Sequence, residues 1–279
     1  MKRNNPFPLV LSVAAALLAA IACGPKKEST KMLVLYYSQN GGTEAVATEI
    51  ASRLGADIEK IVAVDPYDGD FQATIERCLQ EREAGIQAKI EPVKANLDAY
   101  DVIFLGYPIW FGTMAPPAKA LVDSVDFAGK KVVPFCTFGS GGLDSSTRDL
   151  ISLQPDAEVL PGYGVRTARL AAAPKELDRF LKESGFIEGE FTALEAFPEQ
   201  HPVSETEAAL FDAAVAGYPM IHAKASTVAS RPHPDGIEYL FTAIDLPREE
   251  GLDVPPAHSI QVYVLVEEGQ APVFTQVIR

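Results

Sequence analysis

Apolar residues in the first two thirds of the chain come in short unbroken runs, each ending in a polar or glycine-bearing turn before residues at helical spacing. Met32, Leu33, Val34, Leu35 and Tyr36 form the first run, as expected of a parallel strand covered on both faces. The turn Ser38-Gln39-Asn40-Gly41-Gly42-Thr43 follows. Ala45, Val46, Ala47, Ile50, Ala51 and Leu54 then repeat as one helical face, with Thr43 at the expected N-cap and Glu44 in the first turn. Residues 101–106 and 130–136 are further buried-strand runs, with 56–64 and 158–163 as the second and fifth strands. Helices are expected over 71–84, 116–122, 145–153 and 174–184, the last with Pro174 in its first turn. Strands alternating with helices in this way predict an α/β doubly wound, five-stranded parallel sheet of order 2-1-3-4-5 over residues 31–189.

After Gly189 the pattern changes. Residues 204–216 begin with a Ser/Glu capping box and continue as an amphipathic helix. Segments 220–230, 236–244, 259–267 and 273–279 alternate like antiparallel strands. Residues 190–279 hold 14 acidic and 4 basic side chains and all four histidines, against 23 acidic and 16 basic in 31–189. A small accessory α+β domain of unknown role is therefore expected over 190–279, a length sufficient for one.

Candidate chemistry lies where the strands end, because an open doubly wound sheet binds ligands beyond the carboxyl ends of its strands. At the first end, the N–H groups of the helix's first turn, its dipole, and the hydroxyls of Ser38 and Thr43 can converge on an anion. No Lys or Arg lies between Lys31 and Arg53. Neutral donors suit a terminal monophosphate better than a triphosphate, and the lysine-bearing P-loop pattern is absent. A plain strand–turn–helix, with Gly41 and Gly42 merely permitting the turn, is the competing reading. Two further loops shift the balance: Tyr107-Pro108-Ile109-Trp110-Phe111-Gly112-Thr113 and Thr137-Phe138-Gly139-Ser140-Gly141-Gly142. Glycines let the backbone approach a flat ring, and Trp110, Phe111 and Phe138 offer aromatic faces to cover it.

These three loops carry a family resemblance. Residues 38–44 resemble the flavodoxin phosphate loop S/T-x-T-G-x-T, residues 106–112 the P-I-W/Y-W/F-G loop of flavodoxin-like FMN proteins, and residues 137–142 the segment that family places beside the isoalloxazine ring. Asn40 stands where the pattern commonly has Thr, replacing a hydroxyl by an amide that still donates. The resemblance implies non-covalent FMN, with its phosphate at Ser38, Gln39, Asn40, Gly41, Gly42 and Thr43. The ring would be bounded by Pro108, Ile109, Trp110, Phe111, Gly112 and Thr113 on one side. Thr137, Phe138, Gly139, Ser140, Gly141 and Gly142 would bound it on the other. It also implies backbone groups of residues 111–113 near the flavin N5, with Gly112 free to flip its peptide. The response-regulator receiver shares the strand order but needs an acidic pair after the first strand, and Tyr36-Tyr37-Ser38-Gln39 supplies none.

Three functions stay open: a carrier passing electrons between redox partners, an FMN-dependent reductase of quinone-like or nitroaromatic substrates using reduced nicotinamide, and a cofactor-free binding module. The absence of a G-x-G-x-x-G fingerprint for a separate nicotinamide domain favours the carrier.

The N-terminus reads as an export signal. Lys2 and Arg3 precede an apolar stretch over residues 9–22, shorter than the roughly twenty residues a membrane-spanning helix needs. Cys23 closes that stretch, and residues 18–23 resemble a bacterial lipobox. Lipidation of Cys23, a signal segment over 1–23, a linker over 24–30 and a lipid-anchored place in the bacterial cell envelope are the expectations. Cys78 and Cys136 read as structural, and no C-x-x-C pair supports a metal cluster. His201, His222, His233 and His258 are too widely spaced to read as metal ligands. A formal net charge of −14 argues against a nucleic-acid partner and is compatible with docking on a basic redox protein.

Overall fold

The computed structural model describes residues 30–68, 70–246 and 258–279. The expected signal segment and Cys23 lie outside them, as does the linker apart from Thr30. Among the described residues no helix is long and apolar enough to cross a membrane.

The parallel sheet is built from β1 (Met32–Tyr36), β2 (Asp57–Lys60), β3 (Val102–Trp110), β5 (Lys131–Phe138), β6 (Glu158–Val159) and β7 (Tyr163–Arg166), with β4 (Thr113–Met114) turned back on β3. Its order is β2-β1-β3-β5-β6, with β7 continuing the last position alongside β5. The five-stranded doubly wound topology is therefore present. Side chains alternate between two cores, as pleated strands require. Val34, Phe104, Val133 and Phe135 pack under α1 (Gly42–Leu54) and α5 (Ala173–Glu183), which contribute Val46, Ile50, Leu177 and Leu181. Leu33, Leu35, Ile103, Leu105 and Tyr107 pack on the opposite face with α2 (Phe71–Ala84), α3 (Pro116–Ser124) and α4 (Leu143–Leu153).

Four local expectations are corrected. Residues 56–64 pair with β1 only over Asp57–Lys60, because β1 itself ends at Tyr36 and offers no further partner. The fifth strand splits at Pro161, which has no N–H for the ladder. Residues 107–110 are strand rather than loop, since β3 stays paired with β5 through Pro108 and then reverses into β4 from Ile109 and Trp110. The N-cap of α1 is Gly41 and not Thr43. Gly41 takes a left-handed φ of 87°, a conformation open to glycine, and Thr43 sits inside the first turn.

Residues 190–279 form an antiparallel sheet, β8 (His201–Pro202), β9 (Ala223–His233), β10 (Gly236–Asp245), β11 (Ser259–Glu267) and β12 (Val273–Ile278), in order β12-β11-β10-β9-β8. One helix, α6 (Glu205–Val215), packs on it through Phe211 and Ala214. Ser204 and Glu207 make the expected capping box. This half has its own core around Phe211, Phe241, Val262 and Phe274, yet Lys31–Arg279 is one compact unit.

Candidate functional site

The first loop is folded by its own short-range bonds. The Gly41 N–H donates to Ser38 Oγ at 3.1 Å, and the Ala45 N–H donates to the Gly41 carbonyl at 2.9 Å. Among the described residues none accepts from the N–H groups of Gly42, Thr43 or Glu44, which leaves three first-turn donors at the positive end of α1. Ser38 and Thr43 are buried, and Asn40 is exposed. Thr43 Oγ1 lies 2.9 Å from Thr137 Oγ1, so one hydrogen bond joins the first loop to the third. Lys60 reaches this region but is paired with Glu44 at 2.9 Å. The Gln39 side chain turns away from the turn, donating to the Tyr67 carbonyl and to Thr74 Oγ1. Only its backbone is left to serve an anion, a correction to its expected role.

In the second loop, Ile109 pairs with Met114 and Trp110 with Thr113, leaving Phe111 and Gly112 as a two-residue turn. Both have positive φ, 52° and 80°, the pattern of the mirror-image turns that suit hairpins. For Phe111 this is strain of about 1–3 kcal/mol, and its ring is nevertheless 54% exposed. Ser145 Oγ donates to the Gly112 carbonyl, and Thr113 Oγ1 donates to Asp149, so α4 anchors the far side of the turn. The Trp110 indole is wedged edge-on between Tyr37, at 6.0 Å, and Tyr67, at 5.2 Å between centroids. Burial pushes the Tyr37 phenol up to about 12, so this wall stays neutral near physiological pH. Trp110, Phe111 and Met114 also line a cavity of about 370 Å³ between α2 and α3, with Ile86, Arg82 and Lys119 at its margins.

The third loop begins inside the sheet. Phe138 is 3% exposed and packs in the core, so it presents no free aromatic face. The expectation that it covers a ring is corrected: Phe138 follows Cys136 by two strand positions and shares its inward face. Thr137 points the other way, toward Thr43. Gly142, at φ 121°, lets α4 start against Ile109, whose Cγ2 would lie 2.5 Å from a Cβ at that position. Pro108 and Ile109 are half-buried beside it. Among the described residues the N–H groups of Ser140, Gly141 and Gly142 have no protein acceptor.

The three loops thus meet at one end of the parallel sheet. The family model described as flavodoxin matches residues 31–177. The chain belongs to the flavodoxin family. Its flavodoxin half is similar to a flavoprotein structure from Bacteroides eggerthii, 27% identical over 54% of this chain and 99% of that one, with a TM-score of 0.46. A second, from Bacteroides uniformis, is 24% identical over 54% of this chain and 99% of the other, TM-score 0.48. A flavoprotein in complex with FMN from Lactobacillus acidophilus is 23% identical over 54% and 97%, TM-score 0.45. No curated protein matches the chain.

The flavodoxin site fits FMN by its donor set. A dianionic phosphate needs several convergent donors, and the first turn of α1 has three free N–H groups beside two buried hydroxyls. A flat ring needs backbone donors beside it, which the N–H groups of Ser140, Gly141 and Gly142 and the turn at Phe111 and Gly112 can offer.

Two features of the flavodoxin site escaped the sequence reading. Tyr67, which pins Trp110, lies in a loop before α2 and carries no periodic signal. Arg166, at the end of β7, donates to the Gly139 carbonyl at 2.8 Å and to the Phe274 carbonyl at 3.0 Å. Gly139 and Gly141 have no positive φ in the structure, so they mark close approach rather than a turn, a distinction the sequence does not display.

Proposed function

We propose that this protein binds FMN non-covalently and passes electrons between redox partners at a bacterial envelope membrane. The observation that carries the reading is the meeting of three loops with unpaired N–H donors at one end of the sheet, in a chain of the flavodoxin family. FMN supplies the redox chemistry when bound. Ser38, Thr43 and the first-turn N–H groups would hold the phosphate, with the Asn40 amide as a further donor. The Phe111–Gly112 peptide and the backbone of residues 139–142 would bound the ring. Trp110, held by Tyr37 and Tyr67, would flank the ring on that side.

Isothermal titration of the apoprotein tests the cofactor: FMN is expected to bind far more tightly than riboflavin, and equal affinity would overturn the phosphate site. A specific observation favours a second reading, a nicotinamide-dependent reductase: the apolar cavity beside Trp110 and Phe111 is large enough for a small aromatic substrate. Rapid, saturable oxidation of a reduced nicotinamide in the presence of a quinone would decide for the reductase. The anchor rests on the apolar stretch ending at Cys23. Wild-type protein is then expected in membrane fractions, and Cys23→Ser in the soluble fraction or stalled before processing.

A further inference from the structure

The loop at residues 139–142 contains three glycines, so it has little side-chain packing of its own and much freedom to lose on ordering. Its order comes from residues 190–279. The Val277 N–H on β12 donates to the Ser140 carbonyl at 2.6 Å. A Cβ on Gly141 would lie 2.1 Å from the Val277 carbonyl oxygen, and one on Gly139 would lie 2.8 Å from the Tyr218 hydroxyl. Arg166 closes the arrangement from beneath. Its guanidinium bonds the Gly139 and Phe274 carbonyls and stacks 3.4 Å from the centroid of the Phe274 ring, with Tyr218 at 5.3 Å.

The two sides of the loop are therefore unequal. Its carbonyls at Gly139 and Ser140 are taken by Arg166 and β12, while the N–H groups of Ser140, Gly141 and Gly142 face no protein acceptor. Peptide groups held by their carbonyls have their donors fixed as well, since each peptide unit is rigid. Neither Gly139 nor Gly141 needs to be glycine for its dihedral angles, so the contact with the C-terminal half accounts for both.

We infer that the C-terminal α+β half is a support that holds this loop with its N–H donors toward the acceptor edge of the flavin ring, and that Arg166 is the positioning residue joining the two. The inference rests on the proposed FMN site. Acting through the loop, Arg166 would set how tightly the ring is bound without touching the phosphate.

Three substitutions in the full chain test it: Arg166→Ala, Arg166→Lys, which keeps the charge but loses the planar fork, and Gly141→Ala, which wedges β12 away. Affinities for FMN and riboflavin would be read from flavin fluorescence, together with amide exchange at residue 277, whose N–H bonds the loop. Each variant is expected to weaken both flavins about tenfold, to leave their affinity ratio unchanged, and to speed exchange at residue 277. A variant that exchanges faster at residue 277 yet binds FMN within twofold of wild type would overturn the inference, as would a loss confined to FMN. If Gly141→Ala fails to fold, Arg166→Lys decides. If wild-type protein binds no flavin, the proposed function falls, and unchanged exchange at residue 277 in Arg166→Lys would refute the support separately.

Discussion

The first and third loops serve the same proposed ligand but are made in opposite ways. The backbone of residues 38–45 is closed by bonds three and four positions apart, with only the side chains of Gln39 and Thr43 reaching Thr74 and Thr137, and what it leaves over is a set of helix-terminal donors. Residues 139–142 are shaped by Arg166, Tyr218, Phe274 and Val277, up to well over a hundred positions away. A locally closed loop survives changes elsewhere in the molecule. A loop closed by a second core inherits that core's stability, which ties ring binding to residues outside the flavodoxin segment.

Substitutions in the two cores act on both loops at once. Phe135→Ala and Phe211→Ala each empty a fully buried site and are expected to cost about 3–5 kcal/mol. Because the halves share the third loop, both should move a single unfolding transition in denaturant melts followed by circular dichroism. Two separate transitions would mean the halves are independent and the loop is weakly held. Thr43→Ala acts on the first loop. It should lose about 1.5–3 kcal/mol of FMN binding, the scale of one hydrogen bond to a charged group, with riboflavin nearly unaffected in the same titration. Phe111→Asn places a residue tolerant of left-handed geometry in the strained turn. It should raise stability by about 1 kcal/mol in urea melts, and no gain would show that the turn is relaxed as it stands.

The smallest expected effect concerns pH at the other contact between the halves. There the tip of the β9–β10 hairpin meets α5: Asp235 pairs with Lys175 and Arg179, and His233 lies 3.6 Å from Asp235. Burial, then the Arg179 charge, lowers the His233 pKa below its ordinary 6.5, although Glu238, Asp235 and Glu176 act the other way. The unfolded chain thus binds this proton more readily than the folded one, so the contribution is complete above about pH 6.5 and lost as pH falls. A small drop in Tm between pH 7.5 and 5.5 is expected, and absent from His233→Gln. An equal drop in the variant would assign the effect elsewhere.

The legible parts of the molecule are those set by local patterning. Unbroken apolar runs located β1, β3 and β5 because burial on both faces leaves no room for polar residues. The capping box at Ser204 and Glu207 and the helix over Phe71–Ala84 were equally visible. Strand ends were not, since pairing stops where a partner stops, as at Tyr36 for β2. At the site, composition revealed the donors of the first loop but not which side chains face them. Gln39 is drawn off by Thr74, and Phe138 by strand alternation, both through contacts formed only on folding. Arg166 was illegible because it ties the Gly139 carbonyl to the Phe274 carbonyl, and the two are brought together only by folding.

The turn at residues 38–43 contains no cation, and it belongs to a polypeptide of formal charge −14. An approaching phosphate dianion therefore meets repulsion at long range and attraction only within the last few ångströms, where the peptide dipoles of α1 act. Added salt shortens the reach of the repulsion, to about 8 Å at physiological ionic strength, while barely weakening the short-range donors. Flavin capture should thus become faster as ionic strength rises, the reverse of the steering seen when lysines or arginines gather an anion. A stopped-flow record of association against potassium chloride concentration would display that inverted slope.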